Sequence, residues 1–540
     1  MQIKRKINIS LGFLSLLVIV FTISVNKSAA QQDETRKNIQ KLASVIQIID
    51  YAYVDTVNLD DLVENVIVET LKELDPHSVY VPKKELDRTK ERLEGSFEGI
   101  GISFQIFHDT ILVIAPVPGG PSEELGIMAG DKIIKIDGEV AFGEQINNQF
   151  VIDHLRGKKG SKVIVSIYRK GVNDLIEYTI IRDKIPINSI DAVFMAAPGI
   201  GCIKLNRFQK TTMEEFRESL QTLKDQGMEK LILDLRGNAG GYLGIAIDLA
   251  DEFLPDDKLI VYTQGSKSPK QDYKATSNGG FEQGELIIMI DEGSASASEI
   301  VSGAVQDWDR GLIIGRRSFG KGLVQRPFPL IDGSVVRLTT ARYYTPTGRS
   351  IQRPYDKGKE QYYKDIRKRW ERGELIYADS IHFPDSLKYY TPNHRVVYGG
   401  GGIMPDIFVP YDSTWVSDYY ITLRRKGVIN RFTLQYVDDN REALILAYPD
   451  FEMFNDKFNV DDDFMKNFIE FTEKEGVEFN EEEYQTSKNI IEQQLKSWIA
   501  RNLWDVNAMY QVITGIDYTF QKVVDILQDG TLFGELKISQ

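Results

Sequence analysis

The stretch Leu286-Ile-Ile-Met-Ile-Asp-Glu-Gly-Ser-Ala-Ser-Ala-Ser-Glu-Ile-Val301 joins five apolar residues to a turn of small residues and then to a helical pattern. A continuous apolar run is typical of a strand covered on both faces, as in α/β proteins. A sharp turn from strand to helix presents one hydroxyl, that of Ser296, beside free backbone N–H groups at the helix N-terminus. Ser296 and Glu299 also fit a capping box, which predicts a helix start without any chemistry. The two interpretations are compatible.

Apolar runs of the same kind recur on both sides of this stretch, and helical patterns separate them. The runs are Lys230-Leu-Ile-Leu-Asp-Leu235, Leu259-Ile-Val-Tyr262 and Leu312-Ile-Ile314. Because strands that alternate with helices build α/β cores, we predict that residues 186–412 form an α/β domain. The segment 353–398 is polar, basic and rich in tyrosine, so we expect it to be an insertion on the surface of that domain.

The region before this core, residues 94–185, predicts a small β-rich domain. Its short β-branched runs are bounded by glycines, and they cover residues 99–104, 111–114, 132–136 and 163–167. Residues 121–126 read as a short helix, and Asp137-Gly138 reads as a tight turn.

The string Phe97-Glu-Gly-Ile-Gly-Ile102 resembles the carboxylate-binding loop of PDZ domains. Backbone N–H groups of such a loop hold the terminal carboxylate of a peptide, which then joins the sheet as an added strand. Glycines let the backbone approach that closely, although a glycine-rich start of a strand also fits this string alone. Two later strings resemble PDZ domains as well, at residues 121–138 and 155–160. The predicted peptide-binding residues are Gly99, Ile100, Gly101 and Ile102.

The two ends of the chain have different predicted roles. Residues 1–30 place three basic residues before an uncharged apolar run at 7–25 and small residues at the end, a pattern typical of an export signal. The run is nearly long enough to span a bilayer, so an uncleaved inner-membrane anchor is the alternative. In either case we expect a periplasmic location. Helical patterns predict an N-terminal arm over 31–93 and a helical C-terminal domain over 413–540.

The composition excludes several classes of function. The length of 540 residues implies roughly three or four domains. A net charge of −14 opposes binding to nucleic acid. The single cysteine, Cys202, allows no intrachain disulfide and no cysteine zinc cluster. It lies in a strand pattern, where a buried apolar role is favoured over a reactive thiol.

A serine nucleophile needs a base, and none of the five histidines lies in a string that pairs with a serine. The histidines are His77, His108, His154, His382 and His394. A lysine can act instead if burial lowers its pKa from about 10.4 towards 7 to 8, at a cost of roughly 4 kcal/mol. Lys321, in Ser318-Phe-Gly-Lys-Gly322, follows an apolar run and is the candidate. A solvated turn lysine is the alternative interpretation.

Together these strings resemble the carboxyl-terminal processing peptidases over roughly residues 74–411. The shared strings are Gly293-Ser-Ala-Ser-Ala-Ser-Glu299, Phe319-Gly-Lys-Gly322, Leu74-Asp-Pro-His-Ser78, Leu233-Asp-Leu-Arg-Gly-Asn-Ala-Gly-Gly241, Tyr344-Thr-Pro-Thr-Gly-Arg349 and Gly402-Ile-Met-Pro-Asp406. The resemblance implies a serine endopeptidase in which Ser296 is the nucleophile, Lys321 is the general base and Gln325 orients the lysine. It implies no metal and no organic cofactor.

The resemblance also implies how substrates are held. Backbone N–H groups of Gly240, Gly241 and Ala297 would form the oxyanion hole, and the substrates would be proteins or peptides recognised by their free C-termini. Occupancy of the PDZ domain would help to assemble the catalytic pair. The family usually has proline before the glycine pair, whereas this chain has Ala239, which predicts a less rigid turn. The insertion and the C-terminal helices lie outside the minimal core of the family, and a homodimer is left open.

Two other functions are compatible with the same strings. One is a scaffold or chaperone that binds tails without cutting them, and the intact Ser296, Lys321 and Gln325 argue against it. The other is a hydrolase of the same fold that acts on short peptides without selecting their tails.

Overall fold

The computed structural model describes residues 33–107 and 109–538, which form two units with a boundary between Leu74 and Asp75. The predicted segments 1–30 and 7–25, with their export signal or anchor, lie outside the described residues. Within the described ranges, no helix has the length and apolar character needed to cross a membrane.

The first unit consists of helices in its described part. They are α1 (33–52) and α2 (Leu59–Lys72). The Asn58 side chain accepts the N–H groups of Asp60 and Asp61, which satisfies two of the free donors at the start of α2. This agrees with the helical pattern of the sequence.

The second unit begins with a strand that the sequence pattern did not predict. Its first elements are β1 (Val79–Val81) and α3 (Lys83–Glu94). Strand β1 pairs antiparallel with residues 335–337 of the core. The predicted helical arm over 31–93 therefore contains a strand, because Pro76 ends the helical run and a distant strand supplies the hydrogen-bonding partner.

The predicted β-rich domain is present between two strands that pair with each other. Its elements are β2 (Ser96–Gly99), β3 (Ile102–Phe107), β4 (Thr110–Pro116), α4 (Pro121–Glu124), β5 (Lys132–Ile136), β6 (Glu139–Val140), α5 (Asn148–Leu155), β7 (Lys162–Tyr168), β8 (Ile176–Ile181) and β9 (Asp183–Pro186). The antiparallel sheet has the order β3-β4-β5-β7-β8, with β6 on β5. Strand β3, which follows the predicted peptide-binding loop, lies at the sheet edge.

The predicted α/β core has a central sheet of six strands. Its elements are β10 (Ile190–Ala197), β11 (Ile200–Leu205), α6 (Thr212–Asp225), β12 (Lys230–Asp234), α7 (Leu243–Asp251), β13 (Leu259–Gln264), β14 (Gln271–Lys274), β15 (Leu286–Ile290), α8 (Ala297–Asp307), β16 (Leu312–Gly315), β17 (Leu323–Pro329), β18 (Val335–Tyr344), α9 (Lys359–Tyr363), α10 (Asp365–Glu371), β19 (Lys388–Tyr390), β20 (Val396–Tyr398) and β21 (Ile407–Phe408), with 3-10 turns at Ala378–Ser380 and Asp385–Leu387. The sheet order is β10-β11-β12-β15-β16-β21, parallel except between β10 and β11.

Both faces of this sheet are buried, which explains the continuous apolar runs. In β15, Leu286, Ile288 and Ile290 pack with the core on the side of α6 to α8. Ile287 and Met289 pack on the opposite face. Cys202 of β11 is fully buried on that opposite face, and burial raises the pKa of its thiol well above the usual value. The prediction of a buried Cys202 is confirmed.

One predicted strand belongs to a different sheet. The run at 259–262 forms part of β13, which pairs antiparallel with β14 and β18 in a second sheet. An apolar run indicates burial but does not identify the neighbouring strand.

The insertion, residues 353–398, is exposed over much of its length, but several of its side chains are buried. Tyr362 and Arg369 are only 2% and 1% exposed, and Val397 is 3% exposed. The composition does not reveal these few buried side chains, whose hydroxyl and guanidinium groups find partners inside the protein.

The chain after the core is helical, as predicted. Its helices are α11 (Asp418–Lys426), α12 (Val428–Ala447), α13 (Phe451–Lys457), α14 (Asp462–Lys474), α15 (Glu481–Leu503), α16 (Val506–Thr514), α17 (Tyr518–Asp529) and α18 (Thr531–Glu535). Most of these helices share their own apolar core. However, Phe520, Val523 and Phe533 of the last two helices pack against the central sheet.

Candidate active site

The turn between β15 and α8 presents a single accessible serine. Ser294 and Ser298 are fully buried, and their hydroxyls donate to the carbonyls of Leu235 and Asn238, both at 2.8 Å. Ser296 is partly exposed. Its φ of 57° and ψ of −109° lie in a region that residues with a Cβ rarely adopt. Such strain is typical of functional turns, so the turn offers one hydroxyl for chemistry.

The loop after β12 packs directly against this serine. The Gly240 N–H donates to Asn238 Oδ1 at 2.8 Å, so in this structure it is already occupied. A Cβ atom on Gly240 would lie 2.9 Å from the Cβ atom of Ser296, and φ at Gly240 is +96°. Only glycine allows this approach.

The second glycine of the pair has a different environment. A Cβ atom on Gly241 would lie 1.9 Å from the carbonyl oxygen of Phe208. Phe208 and Gly241 form a β-bridge in which the Phe208 N–H donates to the Gly240 carbonyl and the Tyr242 N–H donates to the Phe208 carbonyl. The Gly241 N–H takes no part in this bridge. Ala297 is the first residue of α8, where backbone N–H groups have no partner within the helix.

The predicted base, Lys321, lies in the turn before β17. Burial, with a further contribution from Arg337, lowers the pKa of Lys321 to about 8, although Glu299 and Asp75 act in the opposite direction. The interpretation as a solvated turn lysine does not fit this burial. A pKa near 8 leaves an appreciable neutral fraction at physiological pH, as a general base requires.

Two buried side chains join the serine turn to the lysine turn. Glu299 is fully buried, and its Oε2 atom accepts the backbone N–H of Ser296 at 2.8 Å and that of Lys321 at 2.9 Å. The Tyr343 hydroxyl lies 3.1 Å from the carbonyl oxygen of Ser296 and 2.6 Å from that of Lys321. One oxygen thus holds both N–H groups, and one hydroxyl holds both carbonyls. We call this pair of side chains the clamp.

The Glu299 carboxylate has further donors from the lysine turn. Its Oε1 atom accepts the Ser318 hydroxyl at 2.5 Å and the Gly320 N–H at 2.7 Å. Burial raises the pKa of Glu299, and these hydrogen bonds oppose that rise. The sequence pattern identified Glu299 as a helix cap only.

Gln325 belongs to a chain of hydrogen bonds that ends at Asp75. Its Nε2 group donates to Thr339 Oγ1 at 3.3 Å, and the Thr339 hydroxyl donates to Asp75 Oδ1 at 3.0 Å. Asp75 also accepts the backbone N–H groups of His77 and Ser78. Because the amide nitrogen faces Thr339, the amide oxygen of Gln325 is left as an acceptor on the other side.

The helices at the C-terminal end reach the loop that carries the glycine pair. Asp234 at the end of β12 is fully buried and accepts from Arg236 at 2.7 Å and from the Tyr510 hydroxyl at 2.5 Å. Arg236 also donates to Asp517 at the start of α17, at 2.6 Å. Lys204 completes this buried cluster. Nothing in the local sequence indicated these partners, which lie far along the chain.

The predicted peptide-binding loop has the backbone shape that its glycines allow. Gly101 has a φ of +75°. The carbonyl of Ile100 accepts both the N–H and the hydroxyl of Ser122, and the carbonyl of Gly101 accepts the Val117 N–H. These bonds hold the loop through its carbonyl groups, directly before the edge strand β3.

Comparisons with known proteins agree with this architecture. The model of Peptidase family S41 matches residues 199–358, and a PDZ domain model matches residues 99–180. The N-terminal domain of the activating protease CtpB matches residues 20–85, and a family of unknown function matches residues 419–505. The two domain matches define a serine-type peptidase that carries a PDZ domain.

Proteins with similar sequences align with more than half of this chain. The carboxy-terminal-processing protease of Bartonella bacilliformis is 34% identical over 345 residues, 63% of this chain and 78% of that protein. The carboxy-terminal processing protease CtpB of Bacillus subtilis is 32% identical over 335 residues, 62% of this chain and 69% of that protein. A solved photosystem II D1 C-terminal processing protease is 30% identical and covers 57% of this chain and 88% of its own, with a TM-score of 0.32. The chain belongs to the carboxy-terminal processing proteases of peptidase family S41.

Proposed function

We propose that this peptidase cuts proteins with Ser296 as nucleophile and Lys321 as general base, after the PDZ domain has bound the free C-terminus of the substrate. The observation that carries the proposal is the clamp. Glu299 and Tyr343 hold the backbones of Ser296 and Lys321 against each other, and burial lowers the pKa of the lysine to about 8.

In the proposed first step, the Lys321 amine takes the hydroxyl proton of Ser296 as the serine oxygen attacks the scissile carbonyl. The oxygen of that carbonyl then becomes negatively charged. The backbone N–H groups of Gly241 and Ala297 are the proposed donors to this oxyanion. The Gly240 N–H is bonded to Asn238, so we propose that Gly240 contributes its small size and Asn238 fixes the loop.

The later steps follow from the same groups. The protonated Lys321 gives its proton to the leaving amine, and the acyl group stays on Ser296. A water molecule then attacks the ester while Lys321 again takes a proton. The amide oxygen of Gln325 is the proposed acceptor that orients the lysine ammonium between these steps.

Recognition of the substrate is proposed for the PDZ domain. The loop 99–102 would hold the terminal carboxylate, and the upstream residues would add to the edge strand β3 as a further strand. The edge position of β3 supports this, because an inner strand has no free hydrogen-bonding side. Export to the periplasm and a homodimer remain predictions.

The test is digestion of an unfolded reporter protein with an apolar C-terminal tail. We expect Ser296→Ala and Lys321→Ala to abolish cutting, while the exposed control Lys267→Ala cuts normally. Amidation of the tail, or Gly101→Ala in the strained loop, should slow cutting of the reporter and leave cutting of a short internal peptide unchanged. Cutting by either active-site variant would reject the catalytic pair. Equal rates with free and amidated tails would instead support a peptidase without tail selection.

A further inference from the structure

The insertion, residues 353–398, contacts the turn that carries the proposed base. Arg369 on α10 is 1% exposed, and its guanidinium donates to the carbonyls of Ser318 at 2.7 Å and Phe319 at 3.3 Å. It also reaches the carbonyl of Gly401 at 3.4 Å. One side chain of the insertion thus holds the backbone on the N-terminal side of Lys321.

A second contact of the insertion lies beside the same turn. The Arg353 guanidinium lies between the rings of Phe319 and Tyr362, 3.9 and 3.8 Å from their centroids. Asp365 accepts from Arg353 at 3.1 Å and from Arg369 at 3.0 Å. The two arginines, Asp365 and the Tyr362 ring therefore form one unit, which contacts the turn at Phe319.

The tyrosines of α9 connect this unit to the segment that contains His77. The Tyr362 hydroxyl is 2.9 Å from His77 Nε2, and the Tyr363 hydroxyl donates to the carbonyl of Pro76 at 3.0 Å. Burial, followed by the charge of Lys321, lowers the pKa of His77 to about 3. The imidazole is therefore neutral, and it lies near enough to Lys321 for the lysine charge to contribute to this shift.

We propose that the insertion is a wall of the base pocket, in which Arg369 positions the turn before Lys321 and Tyr362, through His77, excludes water from the lysine side chain. Both are positioning residues. This inference deepens the proposed function, because it requires that Lys321 is the base.

A change in water access should shift the pKa of Lys321 in a predictable direction. The charged groups that face Lys321 are Arg337, which lowers its pKa, and Glu299 and Asp75, which raise it. Loss of the Tyr362 ring leaves these charges in place and admits water. Because burial is the main cause of the low pKa, the pKa of Lys321 then rises and the reaction needs a higher pH.

The experiment uses two matched pairs in the full chain. Tyr362→Leu is compared with Tyr377→Leu, whose ring is 64% exposed, and Arg369→Lys is compared with Arg367→Lys, whose side chain is 83% exposed on the same helix. The kinetic parameters kcat and KM for a short internal peptide are measured from pH 6 to 10, together with the thermal unfolding midpoint.

We expect kcat of Tyr362→Leu at neutral pH to fall roughly 3- to 10-fold, with recovery at high pH and little change in KM. Arg369→Lys should lose kcat to a similar extent because an ammonium cannot reproduce the forked contacts. Both controls should match the wild type. Equal behaviour of test and control variants would overturn the inference, as would a loss of kcat that high pH does not restore in folded Tyr362→Leu. An active Lys321→Ala protein would instead reject the proposed function.

Discussion

The serine turn and the lysine turn are held in different ways. The serine turn, residues 291–298, is hydrogen-bonded to the end of the neighbouring strand β12 through the carbonyls of Leu235 and Asn238. The clamp contacts both turns, and the lysine turn, residues 318–322, is held in addition by Arg369 of the insertion. The sheet therefore contributes to the position of the proposed nucleophile, Ser296, whereas remote segments of the chain contribute to the position of the proposed base, Lys321.

The largest effect should follow from Glu299→Gln, which breaks the link between the two turns. An amide nitrogen in place of either carboxylate oxygen would face backbone N–H groups, those of Ser296 and Lys321 at Oε2 or that of Gly320 at Oε1, and these buried donors would lose their acceptor. We expect kcat to fall by roughly 100-fold or more, because misplaced reacting groups are this costly. Peptide cleavage and thermal unfolding measure the two consequences.

Glu292→Gln is the matched control, since Glu292 lies in the serine turn and pairs with Arg316. Removal of the Glu299 charge should also lower the pKa of Lys321, so the pH dependence of the residual rate should move to lower pH. An unshifted profile with a normal kcat would show that the turns are held independently.

The second prediction concerns the pH dependence of the wild-type protein. Only the neutral amine of Lys321 accepts a proton, and its pKa is lowered to about 8. The value of kcat/KM should therefore fall about tenfold for each pH unit below that pKa and reach a plateau above it. A rate that is flat between pH 6 and 8 would exclude Lys321 as the base.

The same burial should reduce stability. Because the pKa of Lys321 is lowered from 10.5 to about 8 in the folded chain, the unfolded chain binds the proton more tightly. The cost is fully present below the folded pKa and disappears as the pH rises towards the unfolded pKa. Lys321→Met should raise the free energy of unfolding at pH 7 by roughly 2 to 3 kcal/mol, and much less at pH 10. Denaturant unfolding at both pH values would measure the difference.

A smaller effect is expected from the chain of hydrogen bonds behind the base. Thr339→Val removes the acceptor of the Gln325 amide and the donor to Asp75, whereas Thr339→Ser keeps both. We expect a loss in kcat of roughly 3- to 10-fold for valine and nearly normal activity for serine. Equal activities of the two variants would show that Thr339 does not act on Lys321 through Gln325.

The smallest effect should come from the C-terminal helices. Tyr510→Phe removes one donor to Asp234, while Arg236 and Lys204 remain. We expect about a twofold loss of kcat and a stability loss of about 1 kcal/mol. Asn507→Ala is the control, because Asn507 joins the same helix to β10 without contacting the glycine loop. A twofold loss of kcat in the control as well would show that the effect comes from a general loss of packing by this helix.

The sequence was sufficient for features that depend on neighbouring residues. The strand at 286–290, the helix that follows Ser296 and the turn at Asp137-Gly138, where both φ angles are positive, could all be predicted. The partners of Lys321 could not be predicted in the same way, because Tyr343 and Arg369 approach only through the tertiary fold. The buried side chains of the insertion could not be predicted for the same reason, since composition does not show that Arg369 donates to backbone carbonyls.

The paired strands β2 and β9 have a consequence for engineering. Ser96–Gly99 lies against Asp183–Pro186 in register, so the chain leaves the core and returns to it at neighbouring points. A domain inserted this way is exchangeable in principle, because the chain connections of a replacement have to match two adjacent strand ends. It must also preserve the contact of Leu112 with Leu434 of α12. Under the proposed tail recognition, a change of substrate tail would require the exchange of this one domain, with the peptidase core left unchanged.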